Sequence, residues 1–119
     1  MPAGGKAGQG AIPMVRVHGP GAVALDSVPA PEIGEKDVLV QVARCGLCGS
    51  DLGYIAAGGV AAPAQEPFGL GHELSGTVVA AGAAVRGIPV GMRVIVNPMG
   101  DGNMIGNGAP DGGFAPLLR

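Results

Sequence analysis

The stretch VLVQVARCGLCGSDLGY, residues 38–54, joins a predicted strand, a cysteine-containing turn and a predicted helix. Its opening run is rich in valine and indicates a strand over residues 38–42, whose three valines share one face because strand side chains alternate. Both cysteines of the chain follow within four positions. Ser50 stands where a helix over residues 51–57 would need its N-terminal cap. We therefore expect the cysteines to lie in a turn between a strand and a short helix.

Short β-branched runs separated by glycine and proline dominate the chain on both sides of this stretch. Residues 11–25 predict a hairpin that turns at residues 18–21, since proline and glycine supply the dihedral angles of a tight turn. Residues 73–82 and 92–98 predict two more strands. Several short strands with glycine corners indicate a mainly β fold, a small and partly open β-barrel with one or two short helices.

Composition and charge exclude several classes of protein. The 119 residues include 24 glycines and are 47% hydrophobic, which is enough for one domain with its own core. A net charge of −2 provides no basic surface for nucleic acid or an anionic membrane, and no apolar run is long enough to span a bilayer. Residues 1–12 lack the apolar centre of a signal peptide. We expect a flexible tail there, a single domain over residues 13–119 and a cytoplasmic location.

The two cysteines, Cys45 and Cys48, admit three interpretations: a redox dithiol, half of a zinc clamp, or one ligand of a catalytic metal beside an unrelated thiol. A thioredoxin-like dithiol opens a helix within a βαβ unit, and the sequence shows no such unit. A four-cysteine zinc clamp cannot form within one chain that has two cysteines. The cysteines alone do not decide for the third interpretation, in which Cys45 is most simply a small buried apolar residue at the end of its strand.

A second motif makes the cysteine motif more specific. The segment GLGHELSG, residues 69–76, contains the triplet Gly71-His72-Glu73. Together, CGLCGSD and this triplet resemble the N-terminal catalytic domain, of GroES-like fold, of the zinc-dependent medium-chain alcohol and polyol dehydrogenases. The resemblance runs from about Val15 to the C-terminus and includes the VLVQV strand and the VGMRV turn. It implies the catalytic domain of an oxidoreductase that transfers a hydride between a small alcohol or polyol and NAD(P).

The resemblance implies that Cys48 and His72 are zinc ligands. Catalytic zinc takes three protein ligands, leaves a fourth position for water or substrate, and is well served by thiolate and imidazole donors. In the family the ligand is the cysteine directly before the x-Ser/Thr-Asp sequence, which is Cys48 here. Cys45 is therefore not carried over as a ligand, and the C-x-x-C spacing is a coincidence.

Three further residues are implied to take part in catalysis. Ser50 matches the hydroxyl that accepts the proton of the alcohol and passes it toward solvent. Asp51 would accept a hydrogen bond from His72 and fix the tautomer of its ring, a common role for a carboxylate behind a metal-binding histidine. Glu73 matches the family glutamate near the metal, which acts as an occasional alternative ligand.

The segment GDGNMIGNG, residues 100–108, superficially resembles a phosphate-binding loop. Such a loop must open a helix whose N-terminus holds the phosphate, and the glycines and proline that follow cannot continue one. We expect a flexible surface loop. Most members of the family carry a four-cysteine structural zinc in this region, so the resemblance also implies that this chain binds no structural zinc.

Other parts of the family's machinery are expected outside this chain. The third zinc ligand and the nucleotide-binding Rossmann domain lie downstream in the family, so we expect an incomplete zinc site, no residues that bind NAD(P), and no activity in the isolated chain. An uncovered cleft and open strand edges favour a homo-oligomer. The alternative hypothesis is a stand-alone GroES-like binding or assembly module with a vestigial zinc site.

Overall fold

The structure, a computed structural model, describes residues 10–100 and 103–119. Within them the chain forms eight elements: β1 (Ala11–Gly19), β2 (Ala22–Pro29), β3 (Val38–Gly46), α1 (Gly49–Ala57), β4 (Phe68–Gly69), β5 (Glu73–Ala81), β6 (Arg93–Ile95) and β7 (Leu117–Leu118). The predicted mainly β fold with a short helix is confirmed. The predicted N-terminal tail overlaps β1, which already begins at Ala11, and residues 1–9 of that tail lie outside the described residues.

The strands form two open sheets, and together they make a partly open barrel. One sheet has the order β2-β1-β4 and the other the order β6-β5-β3-β7. The predicted first hairpin is confirmed, because β1 and β2 pair from Ala11↔Pro29 to Gly19↔Ala22. Gly21 lies in its turn with a φ of 72°, a left-handed conformation that glycine adopts at little cost.

The pairing of β3 with β5 is irregular at two points, where Val79 of β5 and Ala43 of β3 have no partner on the opposite strand. Neither extra residue lies within residues 38–42. Val38, Val40 and Val42 are all buried or partly buried. The expectation that these three valines share one face therefore stays a prediction.

Helix α1 also begins earlier than predicted. Its N-terminal cap is Cys48, so Ser50 lies inside the first turn instead of capping it. The carboxylate of Asp51 accepts a hydrogen bond from the Cys48 backbone N–H at 2.9 Å, which satisfies a donor at the start of the helix. This bond holds the cysteine turn against the helix.

The core of the described residues includes two small hydrophobic clusters, which contain Leu70 and Leu74 on either side of His72 in the sequence. The first is formed by Val17, Phe68 and Leu70, with Val15, Tyr54, Ile55 and Phe114 packed against it. The second is formed by Leu74, Ile105 and Leu118, with Val42, Cys45 and Val96 packed against it. Because Leu70 and Leu74 are anchored in different clusters, both clusters support the part of the chain that carries His72.

The segment of residues 103–108 is part of this support. Ile105 and Gly106 are buried, and Asn107 forms an isolated β-bridge with Leu70. The expectation of a flexible surface loop is therefore wrong for this segment, because Ile105 fills the second cluster. Residues 101 and 102 of the predicted loop lie outside the described residues.

In the ranges 10–100 and 103–119, no helix is both long enough and apolar enough to cross a membrane.

Candidate metal site

The pairing of β3 with β5 brings the two sequence motifs together. These strands run antiparallel, and the end of β3 at Gly46 lies opposite the start of β5 at Glu73. Cys48 follows two residues after Gly46, and His72 immediately precedes Glu73. An antiparallel register therefore places the cysteine turn beside the histidine, although the two motifs are well separated in the sequence.

Three potential metal donors converge at this point. One ligand atom each from Cys48, His72 and Glu73 lies within 4.8 Å of the other two. The set contains a thiol, an imidazole and a carboxylate, and all three are common donors to zinc. Cys48 and His72 are partly buried and Glu73 is exposed. The donor set therefore fits a zinc ion that remains open to solvent on one side.

Ser50 lies between two of these donors. Its Oγ is 3.2 Å from the Cys48 Sγ and 3.4 Å from the His72 Nε2. Because Ser50 belongs to the first turn of α1, its hydroxyl is carried by the same short element that positions Cys48 and Asp51. A hydroxyl in this position can exchange a proton with a group bound at the donor cluster.

Asp51 lies behind His72, on the side of the ring away from the other donors. Its side chain is 0% exposed, and its Oδ1 is 3.4 Å from the His72 Nδ1. The separation does not satisfy hydrogen-bond geometry, so both atoms are buried without a hydrogen-bond partner. A small rotation of the ring would satisfy both and leave Nε2 free to bind a metal.

The backbone before His72 is held in a conformation that requires glycine. Gly71 has a φ of 97°, and a Cβ built on it would lie 2.6 Å from the Cys45 Sγ. Its carbonyl oxygen accepts a hydrogen bond from the Gly113 N–H at 2.8 Å. The glycine of the Gly71-His72-Glu73 triplet therefore allows the chain to turn tightly beside the core and direct His72 toward Cys48.

Cys45 does not belong to the donor cluster. It faces the second hydrophobic cluster, as expected for a small apolar residue at the end of its strand. Burial, and next the charge of Asp51, raise the pKa of its thiol to about 11. Its packing in the second cluster and its place outside the donor cluster both argue against a role as a metal ligand.

A cleft of about 520 Å³ opens beside the donor cluster. Its lining combines His72 and Glu73 with mostly apolar residues: Leu74, Ile95, Val96 and Pro98, together with Arg44, Gly46 and Ser75. Ile95 is 87% exposed, which is unusual for a large aliphatic side chain. The cleft gives a small molecule access to two of the three donors.

The structure brings together all five residues that the sequence singled out: Cys48, Ser50, Asp51, His72 and Glu73. Glu73 was expected to be an occasional ligand, but it lies in the donor cluster and supplies a third donor within the chain. The sequence did not single out Tyr54 and Asn107, whose side chains form a hydrogen bond between α1 and the segment of residues 103–108. The signal available for Tyr54 was its place as a polar side chain close after the cysteine motif.

Comparison with known proteins shows the family of the chain. Residues 34–117 match the family described as the alcohol dehydrogenase GroES-like domain. This match spans well over half of the chain, and the chain belongs to that family. The resemblance seen in the sequence is therefore confirmed.

Individual relatives are polyol and alcohol dehydrogenases. The chain is 43% identical to sorbitol dehydrogenase of Bos taurus over 83 residues, which is 69% of this chain and 23% of the relative. It is 37% identical over 83 residues to sorbitol dehydrogenase of Bacillus subtilis, covering 69% of this chain and 24% of that protein. The chain thus spans about a quarter of the length of the curated relatives it matches.

Solved structures show the same fold. The crystal structure of 2R,3R-butanediol dehydrogenase from Bacillus subtilis superposes with a TM-score of 0.77 at 28% identity, covering 90% of this chain and 37% of that one. Galactitol-1-phosphate dehydrogenase from Escherichia coli superposes with a TM-score of 0.71 at 31% identity, covering 89% and 35%. A protein assigned as a zinc-binding dehydrogenase from Sinorhizobium meliloti 1021, bound to NADP, superposes with a TM-score of 0.77 at 33% identity, covering 92% and 36%.

Proposed function

We propose that residues 13–119 are the zinc-binding part of the catalytic domain of an oxidoreductase that transfers a hydride between an alcohol or polyol and NAD(P). The convergence of Cys48, His72 and Glu73 within 4.8 Å, in a domain of this family, is the observation that carries the proposal. The relatives named sorbitol dehydrogenase support a polyol as the substrate class.

Cys48, His72 and Glu73 would hold the zinc, with His72 binding through Nε2. A zinc ion at this position would supply Lewis-acid chemistry that favours loss of the alcohol proton. Because Glu73 is exposed and lies at the edge of the cleft, it is the donor most easily exchanged for a substrate or solvent oxygen. A catalytic zinc usually has three protein ligands, and these three residues supply that number within the chain.

Ser50 and Asp51 serve the reaction in different ways. The Ser50 Oγ accepts the proton of the bound alcohol and passes it toward solvent, because it lies beside both Cys48 and His72. Asp51 accepts the Nδ1 proton of His72 and so keeps Nε2 available as a donor. Both side chains lie in the first turn of α1, so one short element positions them beside the donors.

NAD(P) binding belongs, in this proposal, to a nucleotide-binding domain outside residues 13–119, and these residues alone transfer no hydride. The greater length of the relatives supports this assignment. Exposed apolar residues near β6, such as Val90 and Ile95, support association with that domain or with a second copy of the chain in a homo-oligomer. Two free cysteines are consistent with the reducing cytoplasm.

The proposal is tested by zinc content and zinc-dependent activity. We expect one zinc per chain after dialysis, and polyol-dependent reduction of NAD+ or NADP+ by the whole protein that contains this domain. Chelation should abolish the reduction, and Ser50→Ala should lower kcat with zinc retained. Retention of zinc without any hydride transfer would contradict the enzymatic role, and a protein that binds no zinc would favour the alternative of a stand-alone module with a vestigial site.

A further inference from the structure

The hydrogen bond between Tyr54 and Asn107 links helix α1, which follows Cys48, to the segment of residues 103–108, which contacts the chain just before His72. The Tyr54 hydroxyl donates to the Asn107 Oδ1 at 2.8 Å, across 53 positions of sequence. Tyr54 lies on α1, directly after the turn that carries Ser50 and Asp51. Asn107 lies in the segment of residues 103–108.

Asn107 is itself held firmly. Its Nδ2 donates to the Ile105 carbonyl at 3.1 Å, and Ile105 is buried in the second cluster. This bond also determines the orientation of the amide, because it leaves Oδ1 as the atom that faces the Tyr54 hydroxyl. Tyr54 therefore meets an acceptor whose position is fixed by the core.

The backbone of the same segment contacts the chain just before His72. Asn107 forms a β-bridge with Leu70, two residues before the histidine. Gly106 approaches Gly71 so closely that a Cβ built on it would lie 2.2 Å from the Gly71 carbonyl oxygen. The backbone of residues 103–108 thus contacts the chain before His72, and the Asn107 side chain of the same segment binds helix α1 through Tyr54.

We infer that Asn107 and Tyr54 are positioning residues, which set the distance between the α1 half of the metal site and His72. The inference rests on the proposed zinc site, because zinc binding is the property that this distance controls. Cys48 and His72 lie on different elements, and their mutual position depends on what connects those elements. A hydrogen bond with one partner on each side is a direct connection of this kind.

Metal affinity and donor geometry of the folded protein, measured well below the unfolding midpoint of every variant, are the readouts that separate positioning from a general structural role. In Tyr54→Phe, which keeps the ring in the first cluster and removes only the hydroxyl, we expect the Zn²⁺ dissociation constant to rise about fivefold, the value of one neutral hydrogen bond. Asn107→Ala should weaken zinc binding by about the same factor or somewhat more. The d–d absorption of bound Co²⁺ should shift in both variants, since the donor geometry changes.

A double-mutant cycle provides the decisive comparison. If the two residues act through their mutual hydrogen bond, the double variant should bind zinc about as weakly as Asn107→Ala alone. Asn103→Ala is the matched control: this exposed asparagine lies in the same segment, and we expect unchanged affinity and an unchanged Co²⁺ spectrum.

Three outcomes overturn the inference: wild-type affinity in Tyr54→Phe, additive losses in the double variant, or a Co²⁺ spectrum that both single variants leave unchanged. A wild-type protein that binds no zinc contradicts the proposed function itself, whereas zinc-binding wild type with unaffected variants contradicts only the positioning role. The two failures are therefore distinguishable.

Discussion

Cys48→Ala is expected to abolish stoichiometric zinc binding, whereas Cys45→Ala leaves it intact. The Cys48 Sγ belongs to the donor cluster, and its removal leaves one imidazole and an exposed carboxylate. One ligand contributes roughly 3 kcal/mol if the binding energy of a four-ligand zinc site is divided evenly. The dissociation constant should then rise about 100-fold or more. Zinc retained after dialysis, measured by atomic absorption, checks the result.

Cys45→Ala is the matched control because it removes the other thiol of the same C-x-x-C pair. Cys45 packs against the second hydrophobic cluster and has a raised pKa, so its loss should cost about 1 kcal/mol of stability, through a small cavity, and no zinc. Equal loss of zinc in both variants would restore the interpretation of the C-x-x-C pair as a zinc clamp.

Asp51→Asn is expected to weaken zinc binding about 10- to 100-fold, the usual effect of changing the partner of a metal-binding histidine. The asparagine carbonyl can still accept the hydrogen bond of the Cys48 N–H, but its NH₂ group would then face the His72 Nδ1. An amide donor at that position favours the tautomer with its proton on Nε2, the atom that must bind the metal. Zinc titration against a competing chelator measures the change, and ¹⁵N chemical shifts of the imidazole report the tautomer.

Asp37→Asn is the control for this substitution. Asp37 also accepts a backbone hydrogen bond, from Gly34 at 2.9 Å, but it lies at the start of β3, away from the donor cluster. Its variant should bind zinc as the wild type does. Wild-type affinity in Asp51→Asn would show that Asp51 only stabilises the helix start and does not act on His72.

The donor cluster could be predicted because the two motifs together resemble those of the zinc-dependent dehydrogenases, whereas residue type and spacing alone left three interpretations of the cysteines open. Cys48 lies in a turn between a strand and a helix, and His72 follows the glycine that its tight backbone turn requires. The pairing of β3 with β5 then places the two motifs side by side.

The remaining features depend on tertiary contacts that periodicity does not reveal. The pairing of β3 with β5 is irregular because each strand has one extra residue, Ala43 and Val79, and nothing in the valine-rich pattern indicates it. Ile105 is buried although it lies in a segment rich in glycine and asparagine, because it packs with Leu74 and Leu118. Helix α1 begins at its observed position because the Asp51 carboxylate reaches back to Cys48, whereas propensity alone favoured Ser50 as the cap.

X-ray absorption at the zinc edge tests the central claim most directly, because it counts the sulfur ligands of the bound ion. The site of Cys48, His72 and Glu73 predicts one sulfur at about 2.3 Å and the remaining ligands, nitrogen or oxygen, at about 2.0–2.2 Å. The imidazole should also give its characteristic outer-shell scattering. Two or more sulfur ligands per zinc, or a spectrum without imidazole, would contradict the assignment of a catalytic-type site built on Cys48 and His72.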